Sequence, residues 1–365
     1  MIDLLCMVFL LGYVYEDSDS LLIINDSLVM CGYHQYNAKV HLMNNALLKI
    51  RLWNGIDSTG KVILHAPLIY IHNSTIDGSG KGYLGGTNTH PDGYGSGYGH
   101  AGVSGGGGGG AYGGAGGEGG DVSPGAGGVP YGNISDTVIN MGSGGGAGRL
   151  GSVDGFGGNG GAMIYLKAQK VTIDTSSIFC NGMRGYDGSY EAGGGGSGGG
   201  IKIQADTVRI KYSAMQAKAG AGGDAAGGGG GGAGGGRIKV FYAVIDTGNL
   251  ILSVSGGTGG IGGYGNGENG FSGTIYFGPL VAAEEIFQND LSVYNILPGI
   301  TNGWFTVCSE KNTGELLIYN PAGRTVKKMR ISNRIQKFEI SELPNGIYFV
   351  KIDGCKSFAK ITLIK

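Results

Sequence analysis

Apolar and polar residues alternate in four short segments that lie 37 residues apart. In each segment two apolar residues flank a third position, and the apolar pairs are Ile164 and Leu166, Ile201 and Ile203, Ile238 and Val240, and Ile275 and Phe277. Alternation with a period of two predicts a strand that has one buried and one outward face. A fixed spacing of this length between strands indicates a stack of similar coils.

Further apolar positions recur in the same register. They are Val171, Val208 and Ile245, and then Ile178, Met215 and Leu252. An earlier copy lies 102 residues upstream, where Ile69 aligns with Val171 and Ile76 with Ile178. We assign the extra length to a glycine-rich insertion. The pattern predicts an all-β protein built around a glycine-rich, right-handed parallel β-helix, or solenoid.

Glycine is concentrated in the predicted coils, since 71 of the 81 glycines lie between Gly78 and Gly278. Uninterrupted runs such as residues 105–110 exclude the Gly-X-Y period of collagen. Regularly spaced Val, Ile and Leu residues argue against disorder. Two interpretations of the runs remain: irregular loops that use positive φ, or extended polyglycine strands that pack through their backbones.

We divide the chain into four regions. Residues 1–20 are either a degenerate secretory signal or a buried first strand, because residues 4–11 are apolar but no basic residue precedes them. Residues 21–60 have few glycines and are predicted to form an N-terminal β cap. Residues 61–280 are predicted to form the solenoid, and residues 291–365 a small immunoglobulin-like β-sandwich. No segment has the length of a transmembrane span.

The charge balance changes near residue 290. Residues 311–365 carry eleven Lys or Arg and four Asp or Glu, whereas the net charge of the whole chain is -1. These basic residues alternate with apolar ones, which favours a solvated strand face over a nucleic-acid interface. Cys308 and Cys355 lie in this region, and they either pair in an oxidising compartment or remain free thiols.

The outer strand faces are where a β-helix enzyme would carry its acids and bases. No two carboxylates share a ladder position, so the two-acid geometry of glycoside hydrolysis is not indicated. Lys202 stacked over Lys239 is interpreted as a solvated ladder, and Arg209 beside Asp246 as an exposed ion pair. We therefore predict no catalytic residue. Catalysis would be indicated by a groove of convergent carboxylates, the candidates being Asp154, Asp187, Glu191 and Asp224.

Asp187 and Asp224 are 37 residues apart and are predicted to stack in successive loops. Two carboxylates with nearby carbonyls suit Ca²⁺, and the alternative is two exposed loop acids. The six histidines show no ligand spacing, and no Gly-Lys-Ser/Thr sequence follows the glycine runs. The sequence therefore predicts no cofactor apart from this calcium hypothesis, and no nucleotide.

Three ordered motifs occupy the C-terminal region. They are Ile318-Tyr319-Asn320 followed by Gly323-Arg324, then Leu343-Pro344-Asn345-Gly346-Ile347-Tyr348-Phe349, then an apolar strand around Lys360. In order and spacing they resemble the type A C-terminal sorting domain of the type IX secretion system of Bacteroidetes bacteria. Leu297-Pro298-Gly299 stands where that family usually has Pro-Asn-Pro. The predicted sorting-motif residues are Tyr319, Asn320, Gly323, Arg324, Leu343, Gly346, Tyr348 and Lys360.

The resemblance implies export. Such proteins cross the inner membrane on a Sec signal, cross the outer membrane through the type IX machinery, and are anchored to surface lipopolysaccharide, commonly with loss of this domain. An adhesive or carbohydrate-binding immunoglobulin-like module is the alternative for the tail. We expect a secreted or outer-surface protein with a structural or adhesive role, and a glycan or another surface molecule as its ligand. The alternative is a β-helix carbohydrate-active enzyme, either a polysaccharide lyase or a glycoside hydrolase.

Overall fold

The computed structural model describes residues 12–150, 152–280, 294–297, 300–301, 303–309, 314–321, 323–333, 335–352 and 359–363. These residues form strands, turns and extended segments, without a helix, and the prediction of an all-β protein is confirmed. The chain divides into two compact units, and the second begins at Ala282.

The described strands of the first unit are β1 (Tyr13–Glu16), β2 (Ser20–Ile24), β3 (Ser27–Met30), β4 (Gly32–Gln35), β5 (Lys39–Met43), β6 (Leu47–Ile50), β7 (Lys61–His72), β8 (Thr75–Asp77), β9 (Ser104–Gly105), β10 (Gly148–Leu150), β11 (Ser152–Gly155), β12 (Met163–Asp174), β13 (Ser177–Phe179), β14 (Gly200–Lys211), β15 (Ala214–Gln216), β16 (Arg237–Gly248), β17 (Ile251–Ser253) and β18 (Thr274–Pro279). One sheet has the order β1-β2-β5-β7-β12-β14-β16-β18, with β4 also on β7. A second has the order β17-β15-β13-β8-β6-β3, and a third the order β11-β10-β9.

Neighbouring strands of the two large sheets are parallel, apart from the antiparallel pair β1 and β2. The register is the one that the 37-residue spacing predicts, because Ile201 pairs with Ile164 and with Ile238, and Ile238 pairs with Ile275. The inward apolar residues of both sheets form one continuous buried core. This arrangement is compatible with the predicted β-helix.

A serine ladder fixes the turns that follow three of the long strands, β7, β12 and β14. The backbone N–H of Ser74 donates to Ser176 Oγ at 3.2 Å, and that of Ser176 donates to Ser213 Oγ at 3.1 Å. Each hydroxyl in turn donates to the carbonyl two residues earlier. A residue with positive φ precedes each serine. Short polar side chains thus satisfy backbone groups that the sheets leave unpaired at this corner.

The glycine runs form extended segments that pack side by side. Consecutive N–H groups in residues 106–111 donate to three neighbouring segments in turn, so that residues three apart share a neighbour. The acceptors lie in residues 117–120, 192–195 and 97–100. A period of three is that of the polyproline II helix, which has no internal hydrogen bonds. The structure therefore shows the second of the two predicted arrangements.

Only glycine fits this packing. A Cβ atom added to Gly194 would lie well within 3.0 Å of the Gly108 carbonyl oxygen, closer than real Cβ atoms approach. The same is true of Gly230 against the carbonyl of Gly193. No glycine in residues 105–128 or 192–236 has positive φ. Glycine is required here because the backbones approach each other closely, and not because the chain turns.

Residues 21–60, predicted as a cap, contribute their strands to the same two sheets. β2 pairs with β5, and β5 pairs with the second half of β7. β4 pairs with the first half of β7, while β3 and β6 lie in the second sheet. This segment therefore continues the parallel stack, and β1 is the first strand of that stack among the described residues.

The second unit contains β19 (Tyr294–Leu297), β20 (Ile300–Thr301), β21 (Trp304–Ser309), β22 (Gly314–Tyr319), β23 (Thr325–Ile331), β24 (Ile335–Glu339), β25 (Gly346–Ile352) and β26 (Ala359–Leu363). They form two sheets, in the orders β19-β21-β24 and β20-β26-β25-β22-β23. One core joins residues of both sheets, including Phe305, Phe338, Leu316 and Val350. Its immunoglobulin-like character stays a prediction.

Candidate functional site

The outward face of the long strands is covered where β14 and β16 carry lysine. Residues 131–140, which we call the strap, lie across it. Lys239 Nζ donates to the carbonyls of Asn133 at 2.8 Å and Val138 at 2.7 Å, and to Asp136 Oδ1 at 2.6 Å. Lys202 Nζ donates to the Thr137 carbonyl at 2.5 Å. The interpretation of these lysines as a solvated ladder was wrong, because their side chains are 4% and 1% exposed for Lys202 and Lys239.

Burial determines the electrostatics under the strap. It lowers the pKa of Lys202 to about 8, with smaller contributions from the charges of Lys239 and Lys167. Burial also lowers the pKa of Lys239, while the hydrogen bond and charge of Asp136 act in the opposite direction. The Lys202 ammonium lies 4.1 Å from the centre of the Tyr165 ring, a cation–π contact. These groups hold the strap in place through charge-assisted hydrogen bonds.

Two tyrosines of the glycine-rich insertion, Tyr112 and Tyr131, pack against each other beside the strap. Tyr112 is buried, and its hydroxyl oxygen accepts from the N–H of Asn140 at 2.8 Å. The Arg237 guanidinium lies 5.4 Å from the Tyr112 ring centre and donates to the Tyr131 carbonyl at 2.8 Å. The sequence signal for this covered face was the pair Lys202 and Lys239, 37 residues apart, in a ladder that contains no carboxylate.

Asp187 and Asp224 do stack, but a cation from the protein lies between them. Arg184 contacts Asp187 at 2.6 Å and Asp224 at 2.7 Å. Each carboxylate also accepts a backbone N–H from 37 residues further on, at 2.7 Å in both cases. The Arg184 guanidinium thus already pairs with both carboxylates, which argues against calcium between them. Within the described part of the chain, no three His, Cys, Asp or Glu side chains converge as metal ligands.

The other two candidate carboxylates also bind backbone. Asp154 Oδ2 accepts from the N–H groups of Tyr190 and Glu191, and these hydrogen bonds lower the pKa of Asp154 although burial opposes them. Glu191 Oε2 accepts from the Gly228 N–H at 2.9 Å, and burial raises the pKa of Glu191. Arg209 and Asp246 form the predicted exposed ion pair, at 3.6 Å.

A polar cleft lies between the end of β4 and the middle parts of β7 and β12. Its volume is about 360 Å³. The register that aligns Gln35 with His65, and His65 with Lys167, brings one wall together. The lining residues are Gln35, Tyr36, Asn37, His65, Ala66, Pro67, Lys167, Ala168 and Gln169.

Contacts around the cleft fix its side chains. The Tyr36 hydroxyl donates to Glu16 at 2.6 Å, and burial, followed by this hydrogen bond and charge, raises the pKa of Tyr36. The exposed Tyr33 hydroxyl donates to Gln35 Oε1 at 2.7 Å and lies 3.0 Å from His65 Nδ1. Sequence reasoning missed this cleft. Two separate strands, β4 and β5, pair with successive halves of β7, and the sequence does not show that the chain breaks between them after Gln35.

In the second unit, the predicted sorting-motif residues build turns and strands. Asn320 Oδ1 accepts from the Arg324 N–H at 3.0 Å, and Gly323 has φ +76° in the turn between β22 and β23. The Tyr348 hydroxyl donates to the Pro344 carbonyl at 2.7 Å. Lys360 lies in β26, opposite Phe349. Leu297 lies in β19, whereas Pro298, Gly299 and Cys355 lie outside the described residues.

Comparison with known proteins bears on the second unit alone. No curated protein and no solved structure matches the chain. No helix in the described residues is both long and apolar enough to cross a membrane. Residues 295–365 match the family of the secretion system C-terminal sorting domain, which implies interaction with the type IX secretion machinery. Over these residues the chain is therefore similar to proteins that are secreted through the type IX system. The sorting domain indicates that the chain is secreted and attached to the outer surface.

Proposed function

We propose that this chain is an adhesive protein of the cell surface, whose rigid body presents the polar cleft to a glycan while the tail directs export. The cleft carries this proposal. A glycan offers hydroxyl groups that both donate and accept, and the amides of Gln35, Asn37 and Gln169 can do the same. Tyr33 adds an exposed ring beside the amides.

The first unit, which we call the body, suits a display role because backbone hydrogen bonds join each of its glycine segments to several neighbouring segments. In the β-helix that we propose for residues 20–280, the sheets bury one apolar core and the glycine segments form a second, backbone-bonded layer. A binding surface on regular elements is held more precisely than one on free loops. We place surface lipopolysaccharide as the anchor, as the tail's resemblance implies.

We propose a binding role without catalysis. The carboxylates that could act as an acid pair, Asp154, Asp187, Glu191 and Asp224, each accept a backbone N–H. None lines the cleft. A carboxylate fixed by the backbone of a neighbouring segment supports the fold, and a general acid needs access to a substrate proton.

The test is a glycan screen with the full chain, followed by calorimetric titration of the best ligand. Gln35→Ala and Gln169→Ala should each weaken binding about tenfold, since a lost hydrogen bond is worth roughly 1.4 kcal/mol. Gln216→Ala, on β15 and away from the cleft, is the matched control and should bind normally. Absence of glycan binding, or equal effects of all three substitutions, would contradict this proposal.

A further inference from the structure

The two ends of the parallel stack are finished differently. At the N-terminal end β1 pairs with β2, and Leu21 and Ile23 beneath it are fully buried. At the other end β17 and β18 are the last strands of their sheets among the described residues. Ile275 on β18 is 41% exposed, whereas Ile238, its partner one layer below, is 0% exposed. Among the described residues, the core is therefore covered at one end and open at the other.

The layer at the open end contains far fewer charged residues than the layer below it. Residues 247–280, which we call the terminal layer, contain a single charged residue, Glu268. The stretch 37 residues earlier carries five charged residues, namely Lys211, Lys218, Asp224, Arg237 and Lys239. Edge strands of proteins that stay monomeric are commonly protected by charge, especially lysine. In this chain the charged residues are nearly missing from the terminal layer, whose strand edges no described strand pairs.

Larger apolar residues occupy the terminal layer where lower layers have smaller residues. Ile251 pairs with Ala214, and Phe271 takes the place that Gly234 has one layer below. Phe271 is 67% exposed and Ile251 is 63% exposed. Together with Ile275 they add exposed apolar area to a layer whose strand edges no described strand pairs, and such area is typical of an interaction surface.

The glycine part of this layer does not continue the stack. Asn269 Oδ1 accepts from the Gly259 N–H at 2.8 Å, and Asn266 Oδ1 accepts from the Gly262 N–H at 3.0 Å. In the layer below, the corresponding N–H groups donate to the next layer instead, as that of Gly222 does to Thr258. The two asparagine side chains thus satisfy backbone N–H groups of the glycine segments in the terminal layer. Among the described residues, the exposed apolar side chains and the edges of β17 and β18 have no such cover.

We propose that the terminal layer is the interface for a second copy of this chain, joined end to end by a two-fold axis. A two-fold interface brings a surface onto itself, so it must be self-complementary. A nearly uncharged surface meets this condition without like-charge repulsion. The axis also sets the two β18 edges antiparallel, and the backbone groups that no described strand pairs can then pair with each other. The inference is independent of the proposed glycan cleft.

The experiment measures the molar mass of the purified full chain by light scattering over a concentration series. We expect a dimer that dissociates on dilution. Phe271→Glu should give a monomer with unchanged circular dichroism, because it places two like charges in the interface. Val129→Glu is the matched control, since Val129 is 74% exposed on the insertion, and it should remain dimeric.

Hydrogen exchange of β18 completes the design. Protection of β18 should fall on dilution of the wild-type chain, and should be low at every concentration in Phe271→Glu. A wild-type chain that is monomeric at all concentrations would overturn the proposal. So would protection of β18 that is independent of concentration, because the chain itself would then cover the surface.

Discussion

Single glycines have different roles in different parts of this chain. In the runs the missing Cβ admits a neighbouring carbonyl, as at Gly194 and Gly230. At Gly323 it admits positive φ in a turn. Such a difference cannot be read from composition, because both kinds of glycine contribute equally to it. The consequence for stability is large in the runs, where no side chain can move aside for an added methyl group.

Gly194→Ala should lower the free energy of unfolding of the body by about 3 kcal/mol or more, since backbone would have to shift. Gly248→Ala is the control, because an added Cβ there meets nothing closer than the Lys211 side chain at 3.7 Å. That variant should stay within about 0.5 kcal/mol of wild type. Denaturant unfolding of the full chain, followed through the body, measures both. Equal stability of the two variants would mean that the glycine segments are not packed as described.

At the scale of elements, the strap shows how an irregular segment is held on a sheet. Its backbone carbonyls face Lys202, Lys239 and Arg237, which come from two parallel strands. The buried ammonium groups of Lys202 and Lys239 cost free energy that their hydrogen bonds offset only in part, as their lowered pKa values indicate. The strap is therefore a site where pH acts on stability.

The pKa of Lys202 is about 8 in the folded chain and roughly 10.4 when unfolded, so between these values the unfolded state binds more protons. The free energy of unfolding should rise as pH increases from about 8 to about 10 through this group. Lys202→Met keeps the apolar stem and should lose that part of the rise. Lys170→Met, at an exposed position of the same sheet, should keep it. Urea titrations at several pH values compare the three chains, and an unchanged slope in Lys202→Met would refute the assignment.

The whole molecule combines two units with separate tasks. The body holds the cores, the strap and the cleft, whereas the second unit carries the segment that matches the sorting domain. Each unit therefore contains its own apolar core.

Deleting residues 358–365 removes β26, which pairs with β25 and β20, and should abolish display at the cell surface. The protein should then accumulate in the periplasm, where fractionation and immunoblotting detect it. The full-length chain with Val122→Ser, at an exposed position of the insertion, is the control and should reach the surface. Surface display of the truncated chain would show that export does not depend on this domain.

The sequence determined the strands and their register, because inward apolar residues at period two and a spacing of 37 residues leave one way to bury Ile164, Ile201 and Ile238 together. It also determined the tail, since the turn at Asn320 and Gly323 depends on local backbone preferences.

Tertiary structure decided what is distant in sequence. The strap reaches Lys239 from about one hundred residues upstream, and the cleft joins Gln35 to Lys167. The glycine runs contain no side-chain pattern, so only the meeting of their backbones could set which segments bond. Local periodicity specifies which face of a strand is buried, whereas contacts made by an insertion or by bare backbone depend on where the rest of the fold brings them.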